Sequence, residues 1–513
     1  MTRPSACIVL VARCPLVDPE QKDSPALDWL VDLTAGSLLP LLDFLERAPK
    51  GAVSLALGPS LMASLDNRAV RRALDGALGA RYKEARAAAE RLGQGNPLYP
   101  SALDAADRLD KAIKAFKRCD RDVLGALHKH AREGRAELMP AVGAVLPLVA
   151  SRMCRVAHVR AARAVFKARF GHAGEGLWLP QCAFDPELSS VLAQEGVRWT
   201  VVDGRSVRWA PPGPVMGDGS PVSTADSVVC FPASEPASDV FWGDGDGLGY
   251  LRASQGQSLL ALGRRVYAQG EHQRLGDASL LMTSAGEAQV YEPGAARSAA
   301  QAHGARWAKR WMQALEVSAD RPEASQTPVV GTVVLSLDAL GALWLEGWDF
   351  LEAAVGALSK AGALQTPAGV LAAAPRLQVV SPARACASPD AGFGPWMGPS
   401  HRVLHRHCRR LERALGLVLT QPLDAGQANA GLVDRARALI AAKLLLAQDA
   451  QWLDIAHQSS QPQHGVECAQ RHIHDIAKLL GQIAQGGLDK RGLSAMESVP
   501  NPFARDAVAA WLG

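Results

Sequence analysis

The stretch from Gly176 to Gly204, GLWLPQCAFDPELSSVLAQEGVRWTVVDG, constrains this chain more than any other, because it reads as a complete β-α-β unit. Two parallel strands need a crossover, usually a helix, and that commits the chain to a sheet or barrel of the α/β kind. Gly176 to Pro180 is too short and too apolar for a surface helix. Asp185-Pro186-Glu187 supplies a helix cap, a first-turn proline and a first-turn acid, and Val197 to Val202 is a buried-strand run. Gln181-Cys182 and Asp203-Gly204 therefore fall at the carboxyl ends of parallel strands, where such folds place their sites.

The same reading extends along the chain. Apolar runs at Ala6–Val11, 52–57, 136–139, Val222–Phe231 and Thr332–Leu337 add further strands. Leu27–Leu45, the densely charged 61–132 and Val142–Arg169 carry helical spacing. Between about 232 and 310 the pattern loosens into a loop excursion. Its glycines, DGDGLG at 244–249 among them, match neither phosphate-loop spacing. The expected fold is α/β: an incomplete (β/α)7 TIM-like barrel over 1–390, with a helical insertion at about 61–132, followed by an all-helical domain over 391–513.

With 55 Lys plus Arg against 51 Asp plus Glu, the formal charge is +4, too small to argue for nucleic acid or an anionic membrane as partner. Nine cysteines, scattered and without a C-x-x-C pair, read as reduced thiols, with no metal site and no cofactor implied. The first fifteen residues lack the charged lead and cleavage site of an export signal, so the expected location is cytoplasmic.

The run WLPQC at 178–182 resembles the signature strand of glycoside hydrolase family 57, the α-glucan branching enzymes and amylases, in which WLPE precedes a cysteine. Other blocks resemble that family in order along nearly the whole chain: GRAELMPAVGAVLPLV at 134–149, VYEPGAARSAAQAH at 290–303, LWLEGWDFLEAAV with LQTPAGVL, and the C-terminal ALIAAKLLLAQDAQWLDI and NPFARD. The resemblance implies α-glucan or maltooligosaccharide as ligand and glycogen-handling enzymes as candidate partners.

At the positions the resemblance assigns to chemistry, the residues differ. The family's opening His-x-His-x-Pro is represented by Val11 through Pro15, with Val11 and Arg13 in place of the histidines. Gly143 and Ala342 stand where two further histidines are expected. Gln181 occupies the nucleophile position and Ser336 that of the general acid. A retaining glycosidase needs two carboxyl groups about 5 Å apart, one to attack and one to protonate the leaving oxygen. A glutamine amide and a serine hydroxyl supply neither function, so no catalytic pair is intact. Asp338 is the fallback acid: two residues past Ser336 on a strand, it returns to the same face about 6–7 Å further along.

Arg13, Trp178, Gln181, Asp203, Ser336, Asp338 and Trp344 are the expected ligand-facing residues, with Arg13 also able to plug the cleft by pairing with Asp203 or Asp338. Trp199, Trp242 and Trp348 also fall near strand ends, with core packing the default for each of these aromatics. Asp185, Glu346 and Asp349 read as helix-start residues, and His401, His405 and His407 as one surface helix. Three functions stay open: a non-catalytic glucan-binding or regulatory protein, an active α-glucan enzyme with rewired acids around Asp338, and an interaction protein whose cleft is closed.

Overall fold

The computed structural model describes the chain except residues 1–2, 21–24, 235–251, 254–281, 284–290, 343, 374, 422–428, 459–461, 504–506 and 513. Seven parallel strands form the centre: β1 (Ser5–Ala12), β2 (Val53–Leu57), β3 (Ala136–Pro140), β4 (Gly176–Trp178), β5 (Trp199–Val202), β6 (Val229–Pro232) and β7 (Val330–Ser336). They pair as β7-β1-β2-β3 and β4-β5-β6. Single bridges join the two sets at both edges, Ala141 with Trp178 and Ala233 with Thr332. The ring is thereby closed as a (β/α)7 barrel. Strand alternation explains its two layers of core. Cys7, Val9 and Val11 of β1 point inward against Ala56, Met139, Trp199, Val201 and Phe231, while Ala6, Ile8 and Leu10 point outward to the helices.

The charged stretch 61–132 is helical, including Arg68–Leu92 and Tyr99–Arg118, whose alanine and leucine stripes face inward. Val142–Arg169 is mostly helical as expected, its helix running Arg152–Phe170 after a short turn, with Ser151 as cap. Two expectations need correcting. Val222–Phe231 is not one strand: Val222–Ser223 runs antiparallel to β6, which alone enters the barrel. Leu27–Leu45 is broken by a π-helical turn at Thr34–Leu38. There Gly36 abuts Gly341, whose φ of 81° suits glycine, and Gly36 O would lie 1.9 Å from any Cβ at 341.

Helices α1 (Pro399–Thr420), α2 (Ala430–Ala447), α3 (Ala450–Gln458) and α4 (Pro462–Ala484) pack together as the C-terminal helical domain. No helix among the described residues is long and apolar enough to cross a membrane. DGDGLG, Trp242 and most of the expected loop excursion lie outside the described residues.

Candidate functional site

At the carboxyl end of the barrel, Arg13 follows β1, Gly143 follows β3, Gln181 follows β4, Asp203 follows β5 and Ser336 ends β7. The parallel closure of the strands brings all five to one face. The backbone at the end of β4 is unusual: Gln181 and Cys182 have φ of 60° and 48°, in the left-handed region that non-glycine residues rarely adopt. Surrounding hydrogen bonds hold it there, from Asp203 N to Cys182 O at 3.0 Å, from Ala387 N to Gln181 O at 2.7 Å and from Cys182 N to Leu179 O at 2.9 Å.

The side chains at this face are committed to a partner that the strand ends do not contain. Asp454, 6% exposed on α3, accepts Gln181 Nε2 at 3.0 Å and Trp396 Nε1 at 2.9 Å on one oxygen. It accepts Arg13 Nη2 at 3.2 Å on the other. The Arg13 guanidinium also lies over the Trp178 ring, 5.1 Å from its centroid. Its Nη1 is buried and has no hydrogen bond among the described residues. Arg13 therefore pairs with neither Asp203 nor Asp338. Asp203 is taken by Arg205, which donates Nε to Oδ1 and Nη2 to Oδ2, each at 2.9 Å, and it also caps the following turn. A second C-terminal acid, Asp449, lies beside Gly143, where the missing side chain leaves room: a Cβ at 143 would meet Asp449 Oδ2 at 3.6 Å. Asp449 accepts Ser60 Oγ at 3.3 Å and Gln451 N at 3.0 Å.

Asp338 does reach this face, half-buried, accepting Trp29 Nε1 at 2.8 Å and the exposed Ser336 Oγ at 3.3 Å. Burial pushes its carboxyl up to about 6, against the Trp29 hydrogen bond and the Arg13 charge. Burial likewise pushes Asp449 up to about 6, with Arg13 opposing and Asp454 reinforcing the shift. Trp29 also lines a cavity of about 220 Å³ between the segment after β1 and the C-terminal helices, together with Trp452, Val17, Ile455 and Arg471. The two indoles give it aromatic walls.

Trp344 does not join the cluster. It is 1% exposed and packs at 5.0 Å against Phe350, beside His303, because the turn after β7 folds it under the helix that follows. Trp199 and Trp348 are also core, at 0% and 9% exposed. Glu346 is buried and accepts the Tyr291 hydroxyl, Asp349 accepts Gln301 Nε2, and Asp185 accepts Glu187 N. His401 and His405 are not surface residues: they turn inward, with Nε2 against Leu453 O and Trp396 O at 3.1 and 2.9 Å. Among the described residues no group of His, Cys, Asp and Glu is arranged to hold a metal ion.

Sequence reasoning missed Asp449, Asp454, Trp29, Trp396 and Trp452. The available signal was DAQWLD at 449–454, two acids around a tryptophan in an otherwise apolar helical run.

Residues 81–234 match the family described as glycosyl hydrolase family 57, and residues 412–509 match the C-terminal region of 1,4-alpha-glucan branching enzyme. No curated protein sequence matches the chain. The fold is shared with the family 57-type branching enzyme of Pyrococcus horikoshii, at 18% identity and a TM-score of 0.86 over 100% of this chain and 97% of that one. It is shared also with the alpha-amylase AmyC of Thermotoga maritima, at 19% identity and 0.85 over 100% and 99%. The family 57 branching enzyme of Thermococcus kodakaraensis, solved with glucose, gives 16% and 0.85 over 100% and 97%.

Proposed function

We propose that this chain, of the family 57 type in its barrel and of the branching-enzyme type in its C-terminal helices, is a cytoplasmic protein that binds α-1,4-glucan without cleaving it. Gln181 carries the reading. Its amide nitrogen is spent on Asp454, so the end of β4 offers a neutral hydrogen-bonding group where glycoside hydrolysis needs an ionised oxygen. Ser336, exposed at the end of β7, is likewise neutral. The cavity lined by Trp29 and Trp452 supplies apolar surface for a sugar ring, and Asp18, Lys443 and Arg471 on its wall supply polar groups for the hydroxyls. Nine free thiols suit a reducing compartment, and enzymes of glycogen metabolism are the natural partners of such a binder.

One observation favours a second reading, an active enzyme with rewired acids. A carboxyl at about 6, as in Asp338, suits a general acid near neutral pH. Its counterpart would be Asp449, whose oxygens are already engaged by Ser60 and Gln451.

The test is one titration with two readouts. Maltoheptaose should perturb tryptophan fluorescence saturably, with Kd of roughly 0.1–1 mM, or about −4 to −5.5 kcal/mol, while amylose and glycogen incubated with the protein yield no new reducing ends or branches. No response at about 10 mM, at least ten times the expected Kd, removes the glucan ligand and leaves the interaction protein. Turnover that disappears in Asp338→Asn establishes the rewired enzyme instead.

A further inference from the structure

Helix α1 carries an unusual surface. Arg402, Arg406, Arg409, Arg410 and Arg413 are all exposed, and among the described residues none of them pairs with a carboxylate. At 100° per residue the five fall within one sector of about 100°, and from Arg402 to Arg413 the row is about 17 Å long. The only acid of the helix, Glu412, is buried on the other side, where it accepts Ser151 N at 2.7 Å and Gln448 Nε2 at 2.8 Å. Leu404, Cys408, Leu411, Leu415 and Leu419 fix that other side to the domain, so the arginine face cannot turn inward. Arg435 on α2, by contrast, is held by Glu497. Arg409 feels the charge of Glu412, but five guanidinium groups on one helix face without an ion pair among the described residues repel one another, which is unfavourable unless a partner neutralises them.

We propose that this face of α1 docks an acidic α-helix of a partner protein. Two features select that occupant. Arg402, Arg406, Arg409 and Arg413 follow 4-3-4 spacing, the register in which two helices lie along one another, and each planar fork matches a carboxylate in two bonds. Val403 and Leu417, 47% and 67% exposed, flank the row at the spacing of Arg410 ± 7, and they need apolar side chains to cover them, which a phosphate polymer does not offer. The helix contains no Phe, Tyr or Trp, so it lacks the stacking platform on which single-stranded nucleic acid rests. Its apolar side is buried in the domain, so it does not insert into a lipid surface.

The experiment uses the full chain and a synthetic helical peptide with glutamates at 4-3-4 spacing flanked by leucines. Its comparators are the same peptide with glutamine for glutamate, a DNA duplex, and vesicles of phosphatidylserine in phosphatidylcholine. Fluorescence anisotropy should show the glutamate peptide binding about tenfold or more tighter than the glutamine peptide, an advantage that shrinks with added salt. The triple variant Arg406→Glu, Arg409→Glu, Arg413→Glu should lose that binding while its thermal unfolding stays within a few degrees of the parent. The milder Arg402→Gln, Arg410→Gln pair should lose part of it. Equal affinity for the two peptides, or full affinity in the triple variant, overturns the proposal. So does tighter binding of the duplex or the vesicles through the same arginines.

Discussion

Gln181 Nε2 donates to Asp454 Oδ1 at 3.0 Å, tying the end of a barrel strand to a helix of the C-terminal domain. The same carboxylate holds Arg13 and Trp396, so one acid organises three donors from three parts of the chain. That bond explains how an amide is accommodated at the end of β4: it is a fitted donor, with an acceptor supplied for it.

Asp454→Ala should therefore be among the costlier single changes at this face. It strips the acceptor from Gln181 and Trp396 and leaves the Arg13 guanidinium, with a side chain 16% exposed, without its anion. Loss of one partner from a largely buried pair costs about 3–5 kcal/mol. Urea unfolding followed by circular dichroism should show a lower midpoint by that measure, and a change under about 1 kcal/mol would show that Asp454 is incidental. Asp454→Asn, which keeps one acceptor oxygen, should lie between the two.

The sequence made the barrel legible because its strands are buried on both sides and read as short apolar runs; ACIVLV and TVVLSL need no further signal. The β-α-β unit alone put Gln181 and Asp203 at strand ends, and the family resemblance added Arg13 and Ser336. The acids that engage them were not legible. Asp449 and Asp454 sit at the start and middle of a helix in another domain, where local chemistry reads an acid as a cap or a solvated position, and only tertiary contact turns them toward the barrel. Trp344 shows the opposite error: its strand-end position suggested a ligand wall, yet the turn at Leu340–Leu345 folds it into the core.

The pH dependence of stability should carry the mark of Asp449. Its carboxyl stands at about 6 in the folded protein against about 3.8 in an unfolded chain, and burial is the cause. Between those values the folded state holds a proton that the unfolded state has released. Its contribution is thus fully present below about pH 4 and is lost as pH rises through about 6. Two units correspond to about 3 kcal/mol. A side-chain amide at this position is neutral at every pH, so Asp449→Asn should gain stability relative to the parent between pH 4 and 7, measured as the difference in urea midpoints. A difference that stays flat across that window would place the Asp449 carboxyl in its ordinary range.

Gly341→Ala tests a framework position rather than a chemical one. The φ of 81° and the 1.9 Å approach of Gly36 O leave no room for a Cβ, and both contacts are backbone or the Trp348 ring. Expression of the variant should fall sharply, with a melting temperature lower by several degrees, since strain and a backbone shift each cost about 1–3 kcal/mol. Gly79→Ala, on a helix with nothing within 4 Å, is the matched control and should be neutral or slightly stabilising.

Placing carboxylates at positions 181 and 336 should not give the protein glucan cleavage, and the reason is local. In Gln181→Glu a second carboxylate would replace the amide that donates to Asp454 Oδ1. Two carboxylates at hydrogen-bond distance share a proton, so one of them is held in its acid form and is a poor nucleophile. Arg13 relieves part of this repulsion, but only Nη2 faces Asp454. Gln181→Glu should accordingly destabilise the protein by about 1–3 kcal/mol, more at pH 8 than at pH 5. Adding Ser336→Asp should yield no turnover of amylose. Pairing Gln181→Glu with Asp454→Asn returns a donor to face the new acid but sets that donor against Trp396 Nε1, so it should recover only part of the lost stability. If Gln181→Glu with Ser336→Asp cleaves amylose while Asp454 is unchanged, the Asp454 contact does not govern the end of β4.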